Sequence, residues 1–387
     1  MALKAPSDEV VLLVGNRSGE NISGLSVSFD ILISGFADRN LHYQVVDKSA
    51  VGTSGKSGSF HHSRALNTAV VLLQFWVRLF FVTRVYLTVA SSVLGFLRDA
   101  LMIWSSRLLG RAVILHLHGG GYRGFYEAQS KWMKSAIRRT LSQADTIVVE
   151  GELLRDQFYF VSDAAGKVCV VPNCLPIGLR PDSSAVKSLP PNGPVRLLYL
   201  SNMIESKGYL KTLEACRILK QEAGTDIRCD FCGDFLRTAV NESDLSSEMA
   251  KSLFFDLIHG WGLDGTVAYH GVVRGEQKQE FLKNAHVFIL PTRYPWEGQP
   301  VSIIEALAFG TPVISTRFRG IPELVIDGYN GFFTEPDAPE QIATHVRSLV
   351  RDPGMYRTFS ENAIAHYHKN FTQEQHLKRL IPVILGR

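Results

Sequence analysis

The sequence predicts an α/β protein made of two doubly wound domains of similar size. Three observations carry this. Short apolar runs rich in β-branched residues alternate with helical stretches, the runs are continuous in hydrophobicity, and the rhythm stops at a Pro/Ser-rich segment and then restarts. Continuous apolar runs fit parallel strands covered on both faces, and strand–helix alternation supplies the covering helices. A length of 387 residues suits two such domains. With 45% hydrophobic and 20% charged residues and no fixed repeat, the chain is neither disordered nor a solenoid.

The elements follow in order. Strands are expected at Val10–Val14, Tyr43–Val46, Val85–Ala90, Ala112–Leu117, Thr146–Val149 and Val168–Val171, with helices near 23–38, 64–83, 93–109, 129–142 and 151–159. Residues 180–194 hold four Pro, three Ser and one Gly and read as a linker. The second series has strands at 195–200, 227–232, 267–270, 286–290, 312–315 and 331–333. Its helices fall at 207–222, 246–260, 275–284, 301–309 and 338–351, and two more at 353–369 and 372–385 end the chain. The division is therefore an N-terminal Rossmann-like domain (1–180), a C-terminal one (195–370), and a final helix (371–387) returning toward the first. Ligands of such domains bind beyond the carboxyl ends of strands, so functional residues belong in the loops after strands, facing a cleft.

Charge is unevenly spread. Residues 60–140 carry eleven Lys/Arg against Asp99 and Glu127, a net +9, while the whole chain nets +4. The window is also rich in Leu, Val, Phe and Trp. It fits an anionic membrane surface or an anionic lipid-linked substrate, and equally buried helices with snorkelling Arg stems. No nucleic-acid partner is expected. Ala65–Val77 is uncharged but only 13 residues long, short of the ~20 that span a bilayer. Five cysteines and an N-terminus without signal-peptide design suggest a cytoplasmic protein, peripheral at most. Cys229 and Cys232 lie three apart in a strand, on opposite faces, and read as structural rather than metal ligands.

Several motifs carry chemistry. The loop Gly15–Val27 places Gly19 and Gly24 before a helix whose N-terminus suits phosphate, although it is equally a tight strand–helix turn and lacks dinucleotide spacing. The Ser/Gly-rich 49–59 fails the P-loop pattern at Ala50. His116-Leu117-His118-Gly119-Gly120-Gly121 closes a strand. His118 lies nearest the strand end and reads as functional, His116 as a hydrogen-bonded core histidine, and the glycines admit close approach. Lys207 opens the helix after the first strand of the second domain and can balance diphosphate charge. In PTRYPWEGQPVSIIEALAFGTPVIS (291–315), Glu297 and Glu305 are carboxylates suited to vicinal hydroxyls. The amides of Gly298, Gln299, Pro300 and Val301 mark a helix start suited to a diphosphate, Pro300 itself lacking an N–H.

This cluster, with the two-domain rhythm, resembles the retaining glycosyltransferases of family 4, which have the GT-B fold. Their E-x7-E motif is matched by Glu297 and Glu305, and VFILPTRYPWEGQPVSIIEALAFGTPVIST is similar to the family's donor-site stretch. RGIPELVIDGYNGFF (319–333), VVPNCLP (170–176), YHGVV (269–273) and HLHGGGYRGFY (116–126) resemble further family segments, the last one common in builders of bacterial surface polysaccharides. The resemblance implies that Glu305 holds the ribose, Glu297 contacts the donor sugar, Lys207 neutralises the leaving diphosphate, and Gly24 approaches that diphosphate. It places His118 beside the anomeric carbon and the acceptor. The family often has Arg-x4-Lys; here Asn202 stands at the Arg position. It implies no cofactor, a nucleotide diphosphate sugar as co-substrate, and a glycan or lipid-linked saccharide as acceptor.

Anomeric C–O cleavage passes through an oxocarbenium-like state and loads charge on the leaving diphosphate. The sequence contains no Asp-x-Asp to hold a metal there, so Lys207 and helix N-termini are the substitute and no metal is expected. Two rival readings stand beside this one: a catalytically silent GT-B scaffold or nucleotide-sugar-binding protein, and an NAD-dependent dehydrogenase, which the missing fingerprint disfavours.

Overall fold

The computed structural model describes residues 9–18, 24–49, 61–176, 178–182, 186–221, 226–237 and 245–387, with side chains of the helix starting at His61 described from Leu66. Gly19, Ser23 and most of the Ser/Gly-rich segment 49–59 fall outside these residues. The chain divides into two compact units, Met1–Ile177 with Gln373–Arg387, and Gly178–Thr372.

Unit 1 runs β1 (Val11–Gly15), α1 (Gly24–Asp38), β2 (Tyr43–Asp47), α2 (His61–Leu79), β3 (Arg84–Thr88), α3 (Val93–Leu108), β4 (Ala112–His116), α4 (Tyr122–Glu127), α5 (Lys131–Leu141), β5 (Thr146–Val149), α6 (Ala164–Lys167) and β6 (Val168–Val170). The strands form one parallel sheet in the order β2-β1-β3-β4-β5-β6. The chain steps outward from β1 to β2, then crosses back past β1 to β3. This reversal puts the switch point between β1 and β3. Alternate strand residues face opposite ways, so Leu12 and Val14 join one core with Phe75, Phe96 and Ile103, while Val11 and Leu13 join another with Phe29 and Phe36.

Unit 2 runs β7 (Val195–Leu200), α7 (Tyr209–Gln221), β8 (Ile227–Cys232), α8 (Ser247–Gly260), β9 (Val267–Tyr269), α9 (Gly275–Asn284), β10 (Val287–Leu290), α10 (Val301–Ala308), β11 (Val313–Ser315), β12 (Gly331–Phe333), α11 (Pro339–Arg351) and α12 (Pro353–Asn370). Its sheet is parallel in the order β12-β11-β10-β7-β8-β9, so the direction reverses between β7 and β10. Cys229 and Cys232 are both buried in β8. The last helix, α13 (Gln373–Leu385), packs in unit 1 against α1, where Leu377, Leu380 and Ile384 complete the second core.

The helix expected at 64–83 begins at His61 and stops at Leu79, because Phe80 and Phe81 form the turn into β3. The helix expected at 151–159 is a 3-10 turn, Glu152–Phe158. The helix expected at 129–142 is preceded by a separate short one, α4, that the glycine run had masked as loop. Among the described residues, no helix is long and apolar enough to cross a membrane.

Candidate active site

Unit 2 brings several of the polar residues singled out in the sequence to its switch point. The loop after β7 carries Asn202 and Lys207; the loop after the neighbouring β10 carries Glu297. Lys207 does not open a helix, contrary to the sequence expectation. It closes a 3-10 turn, Glu205–Lys207, and Gly208 follows at φ +80° before α7 starts at Tyr209. A side chain at Gly208 would put its Cβ 2.5 Å from the carbonyl oxygen of Pro291, so the two loops meet where only glycine fits.

That close approach is tied down on both sides. The Arg293 amide donates to the Ser206 carbonyl at 2.7 Å. The Tyr199 hydroxyl reaches the carbonyl oxygens of Asn202 and Lys207 at 3.3 and 3.4 Å. Lys207 Nζ consequently stands 3.4 Å from Glu297 Oε2 and 5.0 Å from the centre of the Tyr294 ring. Thr292, fully buried, donates its hydroxyl to the same Glu297 oxygen at 3.1 Å. Glu297 is buried, and Thr292 and Lys207 together fix one of its oxygens.

Glu305 lies one helical turn into α10 and is 1% exposed. Burial pushes its carboxyl above the ordinary range, and Lys278 of α9, 2.5 Å away, opposes that rise. Lys278 has no local sequence signal; it sits 27 positions before Glu305 on an ordinary polar helix, and only the packing of α9 near α10 reveals it. Pro300 precedes α10 and offers no side-chain cap, so the first amides of the helix, which have no intrahelical partner, suit an anion. The Gly320 amide donates to the Gly298 carbonyl at 3.2 Å, and Gln299 is buried with its amide 3.5 Å from Glu323. Asn202 is exposed, and its carbonyl rather than its side chain is held.

In unit 1, Gly24 is the exposed first residue of α1, at the carboxyl end of β1. Within α1, Asp30 accepts from the Ser18 amide at 3.0 Å and pairs with Arg17 at 3.1 Å. His116 ends β4, and Tyr86 bonds its Nδ1 at 2.6 Å. Burial, with His118 and His376 nearby, holds His116 well below the usual imidazole range, in keeping with a core histidine. His118 stacks on His116 with ring centres 4.1 Å apart, and its Nδ1 meets Glu150 Oε1 at 3.2 Å. A carboxylate accepting from Nδ1–H leaves Nε2 as the acceptor, and His118 Nε2 has no protein partner. Glu150, at the end of β5, gave no signal in the sequence because its pairing spans 32 residues.

The two parallel-sheet units with switch-point loops define the class: a GT-B fold. Solved structures share it over nearly the whole chain. Anabaena Alr3699/HepE in complex with UDP aligns with a TM-score of 0.70 at 16% identity, covering 98% of this chain and 100% of that one. The apo lipopolysaccharide outer core galactosyltransferase WaaB aligns at 0.68 and 15%, covering 97% and 99%. More narrowly, residues 182–366 match the model of the family described as "Glycosyl transferases group 1". The amylovoran biosynthesis glycosyltransferase AmsK of Erwinia amylovora is 31% identical over 161 residues, 41% of this chain and 35% of that protein. The putative colanic acid biosynthesis glycosyltransferase WcaL of Escherichia coli (strain K12) is 32% identical over 163 residues, 41% and 37% respectively. The matches thus span about a third of the length of these curated relatives.

Proposed function

We propose that this protein is a retaining, metal-independent glycosyltransferase of the family 4 type. It would move a sugar from a nucleotide diphosphate sugar to a hydroxyl of a glycan or lipid-linked saccharide in surface polysaccharide synthesis, at the cytoplasmic face of a membrane. The observation that carries this is the pairing of Lys207 with Glu297 at the switch point of the unit that matches Glycosyl transferases group 1. The relatives named for amylovoran and colanic acid biosynthesis support the polysaccharide part, and the UDP complex of HepE supports a nucleotide donor.

In this reading Glu305 accepts from the ribose hydroxyls, kept ionised by Lys278. Glu297 takes hydroxyls of the donor sugar with the oxygen that Thr292 and Lys207 leave open. When the anomeric C–O bond breaks, Lys207 shifts its charge from Glu297 toward the leaving diphosphate, and the amides of Gly298, Gln299 and Val301 share the load; Pro300 only sets their direction. Asn202 takes the Arg position and adds no charge, so Lys207 carries more of it. From unit 1 we assign Gly24 to the diphosphate and His118 to the reacting sugar and acceptor.

A thermal-shift screen with UDP, GDP and their hexose conjugates tests the donor. A ligand at 100 times its dissociation constant adds roughly 2.7 kcal/mol of stability. Release of nucleoside diphosphate in the presence of EDTA, with and without saccharide acceptors, then tests turnover. Stabilisation without any release would favour the silent scaffold, and loss of release on chelation, restored by magnesium or manganese, would overturn metal independence.

A further inference from the structure

Unit 1 carries an apolar surface that its core does not require. α2 turns Val71, Phe75 and Leu79 inward. On its opposite side Leu66, Val70, Leu73 and Val77 recur at steps of four, three and four, and all are exposed, as are Phe80 and Phe81 just beyond. α3 repeats the design. Phe96, Met102 and Ile103 are buried, whereas Leu94, Leu97, Leu101, Trp104 and Leu108 recur at steps of three and four in solvent. Leu94 is 81% and Leu108 83% exposed. A surface helix ordinarily places polar residues on that side. Trp76 Nε1 donates to Ser105 Oγ at 3.3 Å, which sets the two helices side by side and merges the stripes into one patch. Single exposed apolar residues mean little, but a contiguous patch marks an interaction surface.

Charge selects the occupant. α5 adjoins α3, with Trp104 Nε1 donating to Thr140 Oγ1 at 3.1 Å, and it exposes Lys131, Arg138 and Arg139 together with Trp132. Arg78 lies at the end of α2. The neighbouring acids are engaged: Asp99 is buried against Arg98 and Lys48, Glu127 holds Arg123, and Asp145 holds Arg107. A second copy of the chain would bring a basic rim against a basic rim. An anionic bilayer supplies hydrocarbon for the stripes and opposite charge for the rim. The geometry points to the α2–α3–α5 face as a membrane-docking surface for anionic lipid, lying in the interface with its leucines and phenylalanines below the headgroups. This narrows the membrane part of the functional reading, on which it rests, to a named face of unit 1.

The test is co-sedimentation of the whole protein with vesicles of phosphatidylcholine, and of an equimolar phosphatidylcholine–phosphatidylglycerol mixture. Two triple variants are compared: Leu94→Gln/Leu101→Gln/Leu108→Gln and Lys131→Gln/Arg138→Gln/Arg139→Gln. The protein should pellet with the anionic vesicles and be released by salt. At about fivefold per basic residue, the charge variant should bind roughly a hundredfold more weakly, and the leucine variant should lose binding to both vesicle types. UDP-induced thermal shifts, measured without lipid, should be unchanged in both variants, which separates this face from the donor site. Equal pelleting with neutral and anionic vesicles, no pelleting at all, or unaltered binding by the leucine variant would overturn the proposal. So would self-association that the leucine variant abolishes, which would assign the face to a second copy.

Discussion

Glu305 is nearly sealed from solvent, and in the proposed reading it meets ribose hydroxyls best as a carboxylate, whose charge strengthens the bonds it accepts. Burial raises its carboxyl and Lys278 pulls it back. Two bonds to a charged acceptor are worth roughly 1.5–3 kcal/mol each, so Glu305→Ala should weaken nucleoside diphosphate binding about a hundredfold or more, measured by calorimetric titration. Lys278→Met should act differently. Without the cation the carboxyl rises further, so nucleotide affinity should increase with pH over a range that lies higher than the parent protein's. A Lys278→Met profile parallel to the parent's would mean that Glu305 does not meet the ligand. Lys207 is judged by turnover. If it acts as proposed, its contribution grows as charge develops on the leaving group, and Lys207→Ala should lower kcat by roughly 10²–10³, as for loss of one oxyanion donor. Lys207→Arg should recover part of this, and donor affinity should change less than kcat.

At the scale of elements, the switch-point loops matter more than the helices and strands they join. β7, β8 and β12 begin and end where the sequence places them, because β7 and β8 are buried along most of their length and short apolar or β-branched runs leave a clear pattern. The turn at Lys207 reads as helix in the sequence, since ESKGYLKTLEA is rich in helix formers and nothing local shows Pro291 pressing on Gly208. That contact makes a prediction. Gly208→Ala must place a side chain at φ +80° and against a backbone oxygen, and should cost about 2 kcal/mol or more. Denaturant unfolding reads the stability, and steady-state kinetics should show a loss of kcat larger than the stability loss explains, because the Lys207 turn moves with Gly208.

For the whole molecule, the chain's last helix completes the unit that the first residues begin. α13 brings His376 beside the His116–His118 stack, bonded through Nδ1 to the Pro172 carbonyl at 2.7 Å. Burial pushes His376 down from 6.5 to about 4, and His116 well below its usual range. The unfolded chain binds these protons near pH 6.5 and the folded chain does not. Stability should therefore fall as pH drops from about 6.5 to about 4, by about 3 kcal/mol for His376. Urea unfolding at stepped pH checks this. His376→Gln, which can still donate to the carbonyl but cannot titrate, should flatten the profile, and an unchanged profile would remove His376 as its source.

The sequence by itself determined the α/β alternation, the break near the linker, and the Glu297–Glu305 spacing, because each is written in residues close along the chain: periodicity, Pro and Gly content, and one short motif. It also showed the basic, apolar character of 60–140, though not whether those apolar residues were core or surface. The tertiary structure decided that question, since the same stretch holds inward stripes (Phe75, Ile103) and outward ones (Leu73, Leu101), and composition sums both. It also decided the partners: Lys278 for Glu305, Thr292 and Lys207 for Glu297, Glu150 for His118, and α13 for the face covered by α1. Most of these pairings join residues tens to hundreds of positions apart on different elements, and those depend on which strand lies beside which and where the crossing direction reverses. Hydrophobic pattern fixes what an element is; only packing fixes what its polar residues meet.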